Sequence, residues 1–209
     1  FEANKLKSIE TKESRSVTLR LIKDGRIGTT STSRDDDPEA VVASALESSV
    51  YGAEARFEFP PLGERTEVDV YDGETPTIPV ESMAEAGKQL IARLLEYNPE
   101  LLIDVSISKD DEEIRIARGG TAESYQRTGF GVSVSANLIR GTDMLDVYSF
   151  NVSCSPDLNT DSVFDEIKEK LELARDAGAV KSGSMPVVLS PIAFMLTIGP
   201  ALRMGFNGK

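Results

Sequence analysis

The sequence predicts an α+β fold in which a β-hairpin and an antiparallel meander sheet pack with about three helices. Three observations carry this prediction. Residues 17–32 read as two strands around Asp24-Gly25, and residues 80–95 carry an apolar stripe at helical spacing. Residues 101–154 alternate apolar with polar side chains in runs separated by polar turns. Strands in runs with helices between them, in the order ββα, αββββα, βα, indicate layered α+β packing rather than a doubly wound parallel sheet.

Val17, Leu19 and Leu21 alternate with Thr18 and Arg20, the period-two pattern of a strand with one buried face. Asp24-Gly25 is a strong two-residue hairpin signal, and Ile27–Thr32 is the return strand. Gly28 within it indicates a bulge or a close backbone approach. The first helix has Asp37 as N-cap, Pro38 at its first position and Glu39 favourable to its dipole. Val41, Val42, Ala45 and Leu46 form its expected apolar face, and Gly52 its end. Residues 54–77 hold Pro60-Pro61, Gly63, Gly73 and Pro76. They read as a long connection with one short strand at Val68-Asp69-Val70.

The second helix carries Val80, Met83, Ala84, Gly87, Leu90, Ile91, Leu94 and Leu95 on one stripe. Pro79 starts it and Asn98-Pro99 stops it. Four strands are expected next. Leu101, Ile103, Val105 and Ile107 alternate on the first, Lys109-Asp110-Asp111-Glu112 is the turn, and Ile114 and Ile116 return to Gly119-Gly120. Phe130, Val132, Val134, Ala136 and Leu138 form the third, Arg140-Gly141-Thr142-Asp143 turns, and Tyr148, Phe150, Val152 and Cys154 alternate on the last. Even spacing with polar turns means antiparallel pairing. A third helix is expected from about Thr160 to Ala177, with Val163, Phe164, Ile167, Leu171 and Ala174 on its face and Gly178 as its C-cap. Val187-Val188-Leu189 then reads as a short buried strand, and Ile192–Leu196 as the start of a buried helix.

Composition narrows the function by exclusion. The 209 residues include 23 Lys+Arg, 35 Asp+Glu, one Cys and no His, for a formal charge of −12. Without imidazole, Ser-His-Asp triads, Cys-His dyads and HExxH-type zinc sites are excluded within this sequence. Cys154 alone forms neither an internal disulfide nor a thiolate cluster. A charge of −12 argues against a nucleic-acid backbone as partner. A single unpaired Cys fits a reducing compartment, so a cytoplasmic location is expected. The uncharged stretch from Ser182 to Leu202 is nearly long enough to span a bilayer, but Pro186, Pro191 and Pro200 interrupt it. No membrane association is expected. Both ends read as interrupted elements of a longer protein, with an N-terminal α+β domain at 1–180 and the start of a second, truncated domain at 181–209.

No candidate constellation supplies catalytic chemistry. Asp35-Asp36-Asp37 lacks the alternate ligands, turn glycine and late Glu of a calcium loop, so a solvated, helix-capping loop is expected. Asp110-Asp111-Glu112-Glu113 is expected to keep a hairpin turn solvated. Gly129-Phe130-Gly131 lies in a strand pattern and lacks the third Gly of a nucleotide loop. Gly119-Gly120 is a turn. Cys154 follows apolar strand positions and is expected to be a buried structural thiol. Ser31, Ser33, Ser133 and Ser135 are ordinary polar strand positions. No catalytic, cofactor-binding or metal-binding residue is assigned.

The segment Arg20-Leu21-Ile22-Lys23-Asp24-Gly25-Arg26-Ile27-Gly28-Thr29-Thr30-Ser31-Thr32, with the Asp37-Pro38 helix and its Ala43-Ser44-Ala45-Leu46, resembles the N-terminal signature of the TldD/PmbA family. That family is also labelled modulator of DNA gyrase or peptide maturation protein. Ile114–Gly120 sits where the family has a strand ending in a polar turn around a Gly. Ala117-Arg118 departs from the Asn-Ser pair more often found there. Ala174–Gly178 and Met185–Pro191 resemble the junction into the second half. The resemblance implies a PmbA/TldD-like N-terminal domain, a further C-terminal domain and dimer assembly.

The family holds two kinds of subunit. TldD-type chains carry a His-Glu-x-x-x-His helix after the junction and act as zinc-dependent peptidases. PmbA-type (TldE) chains lack it and partner the active subunit. Here the corresponding helix, Ile192–Leu202, has neither His nor Glu. The resemblance therefore implies a PmbA/TldE-like non-catalytic subunit of a peptidase complex acting on unfolded peptides, inactive alone. No cofactor is expected in this chain, and zinc only in a TldD-type partner. The alternative is a homodimeric binding or scaffold protein without protease activity.

Overall fold

The computed structural model describes residues 1–33, 37–63, 66–176, 178 and 181–206. It comprises two compact units, Phe1–Ala174 and Arg175–Lys209. The first holds β1 (Val17–Lys23), β2 (Arg26–Thr32), α1 (Pro38–Ser49), α2 (Val80–Tyr97), β3 (Leu102–Arg118), β4 (Thr121–Arg140), β5 (Asp143–Ser153) and α3 (Thr160–Leu173). β1 and β2 form a two-stranded sheet, and β3-β4-β5 a three-stranded one. All pairings are antiparallel. The expected α+β class is the one observed.

The meander has three strands, not four. β3 runs straight through Lys109-Asp110-Asp111-Glu112, where a turn was expected. Asp110 and Asp111 are residues that turns accept, but β4 pairs with the run residue for residue and accommodates its acids. Arg127 pairs with Glu112 at 2.5 Å. Gly129, opposite Asp110, leaves room for the Asp110 carboxylate, which would sit 2.5 Å from a Cβ there. The reversal comes at Gly119-Gly120, with φ of 56° and 84°, the left-handed pair that a two-residue hairpin requires.

The face of β5 is also opposite to the expected one. Val147 and Ser149 are buried, whereas Tyr148, Phe150 and Val152 are exposed. Pairing decides this. Buried Val134 and Ala136 of β4 stand opposite Ser149 and Val147, and a one-residue slip would exchange every side chain between faces. Leu90, Ile91 and Leu94 of α2 and Val163, Ile167 and Leu171 of α3 close over this face, against Ile103, Val105, Val132 and Val134. Each such buried side chain contributes about 1.5–3 kcal/mol.

In α1 the cap is as expected, with Asp37 Oδ1 accepting from the Ala40 amide at 2.9 Å. Its buried residues are Ala45 and Ser49, while Val42 and Leu46 are exposed. The helix lies too close to β2 for larger groups: a Cβ on Gly28 would sit 2.0 Å from the Ala45 carbonyl oxygen. Gly28 is therefore a close approach and not a bulge, since the ladder passes Leu21↔Gly28 in register. α1 stops at Ser49. Gly52 is required instead by the Ile27 carbonyl oxygen, 1.8 Å from where its Cβ would be.

Val68-Asp69-Val70 is irregular and not a strand. The connection is held by point contacts. The Thr128 amide donates to the Val70 carbonyl at 3.0 Å. The hydroxyls of Thr75 and Thr128 donate to the Cys154 carbonyl at 3.1 and 2.7 Å. Lys109 Nζ donates to the Pro76 and Ile78 carbonyls, both at 2.6 Å. α3 ends at Leu173 and tightens into a 3-10 turn at Ala174–Asp176, so Gly178 is not its cap.

In the second unit, α4 (Pro191–Gly205) is capped by Ser190 Oγ, which accepts from the Ala193 amide at 3.2 Å. The helix forms where expected, but none of its residues is buried. Val187-Val188-Leu189 is not a buried strand: it is irregular, with Val188 97% exposed. Pro186 and Pro191 flank it and remove backbone donors, and no described strand pairs with it. Among the described residues, no helix is long and apolar enough to cross a membrane.

Gly28→Ala should lower stability by about 2 kcal/mol through overpacking against α1, seen as a lower urea midpoint. Gly63→Ala, with nothing within 4 Å of the added Cβ, should stay within about 0.5 kcal/mol of the parent.

Candidate functional site

A concave feature of the first unit is built on the outer edge of β3. The first residues meet that edge through a tight turn at Ala3-Asn4, with φ of 46° and 68°, closed by a bridge between Glu2 and Lys5. The Asn4 amide donates to the Ile103 carbonyl at 2.9 Å, and the Val105 amide to the Phe1 carbonyl at 3.2 Å. The Phe1 amino group donates to the Val105 carbonyl at 2.7 Å. Asn4 Oδ1 accepts from the Ile103 amide at 2.7 Å. Gly87 permits the Phe1 ring to rest on α2, because a Cβ there would lie 2.4 Å from the ring.

A cleft of about 580 Å³ lies between residues 6–12, the first turns of α2 and residues 104–109 of β3. Ligand pockets commonly measure about 300–1,000 Å³. Val80, Met83, Ala84 and Ile107 supply its apolar wall. Glu2, Glu10 and Asp104 are interspersed with Lys7, Lys12 and Lys109, so neither sign of charge dominates. The cleft contains no His or Cys, so neither a Ser-His nor a Cys-His pair is formed there.

The residues weighed from sequence do not converge. Asp35 and Asp36 lie outside the described residues, and Asp37 caps α1. Asp110–Glu113 alternate between the two faces of β3. Gly129-Phe130-Gly131 is mid-strand, with Phe130 in the core and Gly131 beneath Val152. Gly119-Gly120 is the hairpin turn. Cys154 is a half-buried free thiol, its Sγ 3.9 Å from the Asp69 carbonyl oxygen. Ser31 Oγ lies 2.8 Å from Thr18 Oγ1, and Ser135 donates to Asp146 at 2.8 Å. Ser33 is exposed and Ser133 half-buried. Among the described residues, no group of three or more His, Cys, Asp and Glu side chains is placed to hold a metal.

One polar cluster escaped the sequence reading. Ser149 Oγ, fully buried, donates to Glu166 Oε2 at 2.6 Å, and Lys170 pairs with Glu166 at 2.6 Å. Lys170 Nζ also donates to the Tyr148 carbonyl at 2.5 Å. Burial alone would raise the Glu166 pKa. The hydrogen bonds from Lys170 and Ser149 and the Lys170 charge outweigh it, and hold the carboxyl below its ordinary value of 4.5. The i,i+4 spacing of Glu166 and Lys170 was legible as a helix pair. Their meeting with Ser149 depends on strand register.

Three comparisons bear on identity. Residues 1–49, ending with α1, match the family described as PmbA/TldA metallopeptidase domain 1. No curated protein matches the chain. The fold is similar to that of TldE from Thermococcus kodakarensis, with a TM-score of 0.70 and 14% identity over 82% of this chain and 40% of that one. It is also similar to a candidate modulator of a DNA gyrase from Thermotoga maritima MSB8, with a TM-score of 0.68 and 19% identity over 88% of this chain and 43% of that one. At these identities the likeness is one of fold. The chain spans 40% and 43% of the two structures' lengths.

The Glu166 cluster gives a pH-dependent expectation. A carboxylate with a depressed pKa stabilises the fold fully above the ordinary glutamate range and loses that contribution as pH falls through its lowered value. Glu166→Gln should be less stable than the parent at pH 7, by less than about 1 kcal/mol because the pair is partly exposed. The gap should close below about pH 4, as measured by urea denaturation across pH.

Proposed function

We propose that this chain, PmbA/TldE-like in its first 49 residues and in its fold, is part of the non-catalytic subunit of a TldD/TldE-type metallopeptidase complex acting on unfolded peptides. One observation carries the reading. The chain has no His, and α4 occupies the stretch where the family resemblance puts the His-Glu-x-x-x-His helix. Ile192–Leu202 carries no acid, imidazole or thiol. The residues present therefore do not fit a zinc ion, and no chemical step is assigned to them. In this reading, zinc and the general base come from a TldD-type partner, while this chain helps to enclose the peptide.

The fold likeness to TldE supports the subunit type. The formal charge of −12 opposes a role on duplex DNA, whose phosphates repel an acidic surface. The half-buried, unpaired Cys154 is compatible with a reducing cytoplasm.

The test is co-purification of the protein with a family member that bears the His-Glu motif. A stable complex is expected, with peptide hydrolysis that a chelator abolishes and that exceeds the partner's activity alone. No association, together with unchanged hydrolysis, would favour the homodimeric scaffold and remove this reading.

A further inference from the structure

We propose that the exposed row Val42, Leu46 and Val50 along α1, bordered by Glu39 and Glu47, is a docking surface. Its occupant is a helix of a partner protein whose own apolar row is flanked by lysine or arginine. The inference concerns α1 alone and does not rest on the subunit assignment.

Residues four apart lie in line along a helix. Val41, Ala45 and Ser49 form the line that packs on β1 and β2, with Ala45 and Ser49 buried and Val41 half-buried. Val42, Leu46 and Val50 form the next line, and they stay 45%, 40% and 63% exposed. Val50 follows the last residue of α1 with φ of −58° and ψ of −34°, so it continues the helical line. Glu39, Ala43 and Glu47 form the third line, exposed throughout. Tyr51, just past the helix, is exposed as well.

A surface helix ordinarily buries its large apolar residues and leaves serine in water. α1 does the reverse, and two contacts hold it so. Gly28 lets the helix approach until a Cβ there would lie 2.0 Å from the Ala45 carbonyl oxygen and 2.9 Å from Ser49 Cβ. At that separation the facing line must be made of small side chains. The Thr29 amide donates to Ser48 Oγ at 2.9 Å, which fixes the rotation of the helix about its axis. α1 is thus seated on its sheet through Ala45 and Ser49, and Val42 and Leu46 are held at the surface for a second contact.

Charge selects the occupant. α1 holds no Lys or Arg, and the line beside its apolar row carries Glu39 and Glu47. Among the described residues, neither glutamate has a cationic partner. Glu47 also stands near the C-terminal end of α1, where the helix dipole favours a cation. A lysine or arginine beside the docked apolar row would pair with Glu47 and complement that dipole together. Two copies of this surface would instead set glutamate against glutamate, in a chain of formal charge −12. The form of the occupant follows from the row itself, since a ridge of residues four apart packs into the grooves of another helix.

The test is fluorescence anisotropy of a labelled peptide of about 20 residues, long enough to be helical, with leucines in one line and lysines on both sides. It is titrated with the full chain, and a version with glutamate in place of lysine serves as control. The lysine peptide should bind the parent, and Leu46→Gln should weaken it by roughly tenfold. Glu47→Lys should weaken the lysine peptide to a similar degree and strengthen the glutamate peptide. Glu169→Lys makes the same charge change on an exposed position of α3 and should leave binding of the lysine peptide unchanged. The Glu47 and Glu169 pair decides the matter if Leu46→Gln does not fold. Equal losses from those two charge reversals would mean attraction to net charge alone, and would overturn the proposal, as would no binding by the parent. A parent dimer in sedimentation velocity that Leu46→Gln abolishes would make a second copy the occupant and overturn it as well. None of these outcomes touches the co-purification that tests the subunit assignment.

Discussion

The rest of the first unit depends on the register between β3 and β4. Seventeen residues of β3 face seventeen of β4 without interruption. That register sets which side of the sheet is apolar. It directs Ile103, Val105, Val132 and Val134 toward α2 and α3, and through the next ladder places Val147 and Ser149 with them. It also determines which backbone groups point outward on β3 and on β5. Shifted by one residue, the same chain would turn its core face to water and its serines inward.

Around this frame, polar contacts replace regular structure. Among its described residues, the 53–79 connection has a 3-10 turn at Thr75–Thr77 and an isolated bridge from Glu54 to Arg26, and it is anchored at several further points. Arg20 lies over Phe57 and Phe59 at 5.5 and 5.9 Å, and Arg118 over Phe59 at 5.3 Å. A residue of β1 and one near the tip of the long hairpin thus share an aromatic pair, with each such contact contributing about 0.5–1 kcal/mol. Farther along, Lys109 and the Cys154 carbonyl fasten the chain to the sheet. These anchors use single side chains from distant parts of the sequence.

That distance explains what was legible beforehand. Asp24-Gly25, the Asp37-Pro38 start and the α2 stripe are local signals, read over two to eighteen residues, and the structure has them. The Asp110–Glu113 run misled because acidic residues resemble a turn when the facing strand is ignored. Its partners, Arg127 and Gly129, lie about a dozen or more residues away and emerge only with pairing. Tyr148, Phe150 and Val152 misled for a related reason: aromatic character suggests an inward face, whereas register set them outward. The cleft was invisible because it joins residues 1–12, the first turns of α2 and the β3 edge. The absence of His was legible at once, since a count of residue types needs no geometry.

The Gly119-Gly120 turn has a kinetic consequence. Closing a loop of two residues carries only a small entropic cost, which grows slowly with length. Once Arg118 and Thr121 are opposed, each further pair along β3 and β4 adds without a new closure. Hairpins of this kind form in roughly 1–10 μs, well before most long-range contacts. The docking of Phe1–Asn4 on Ile103 and Val105, about a hundred residues away, has no such shortcut. The β3 edge is thus made early and covered late, and for that interval in folding it offers its amides along its whole length to any extended chain nearby.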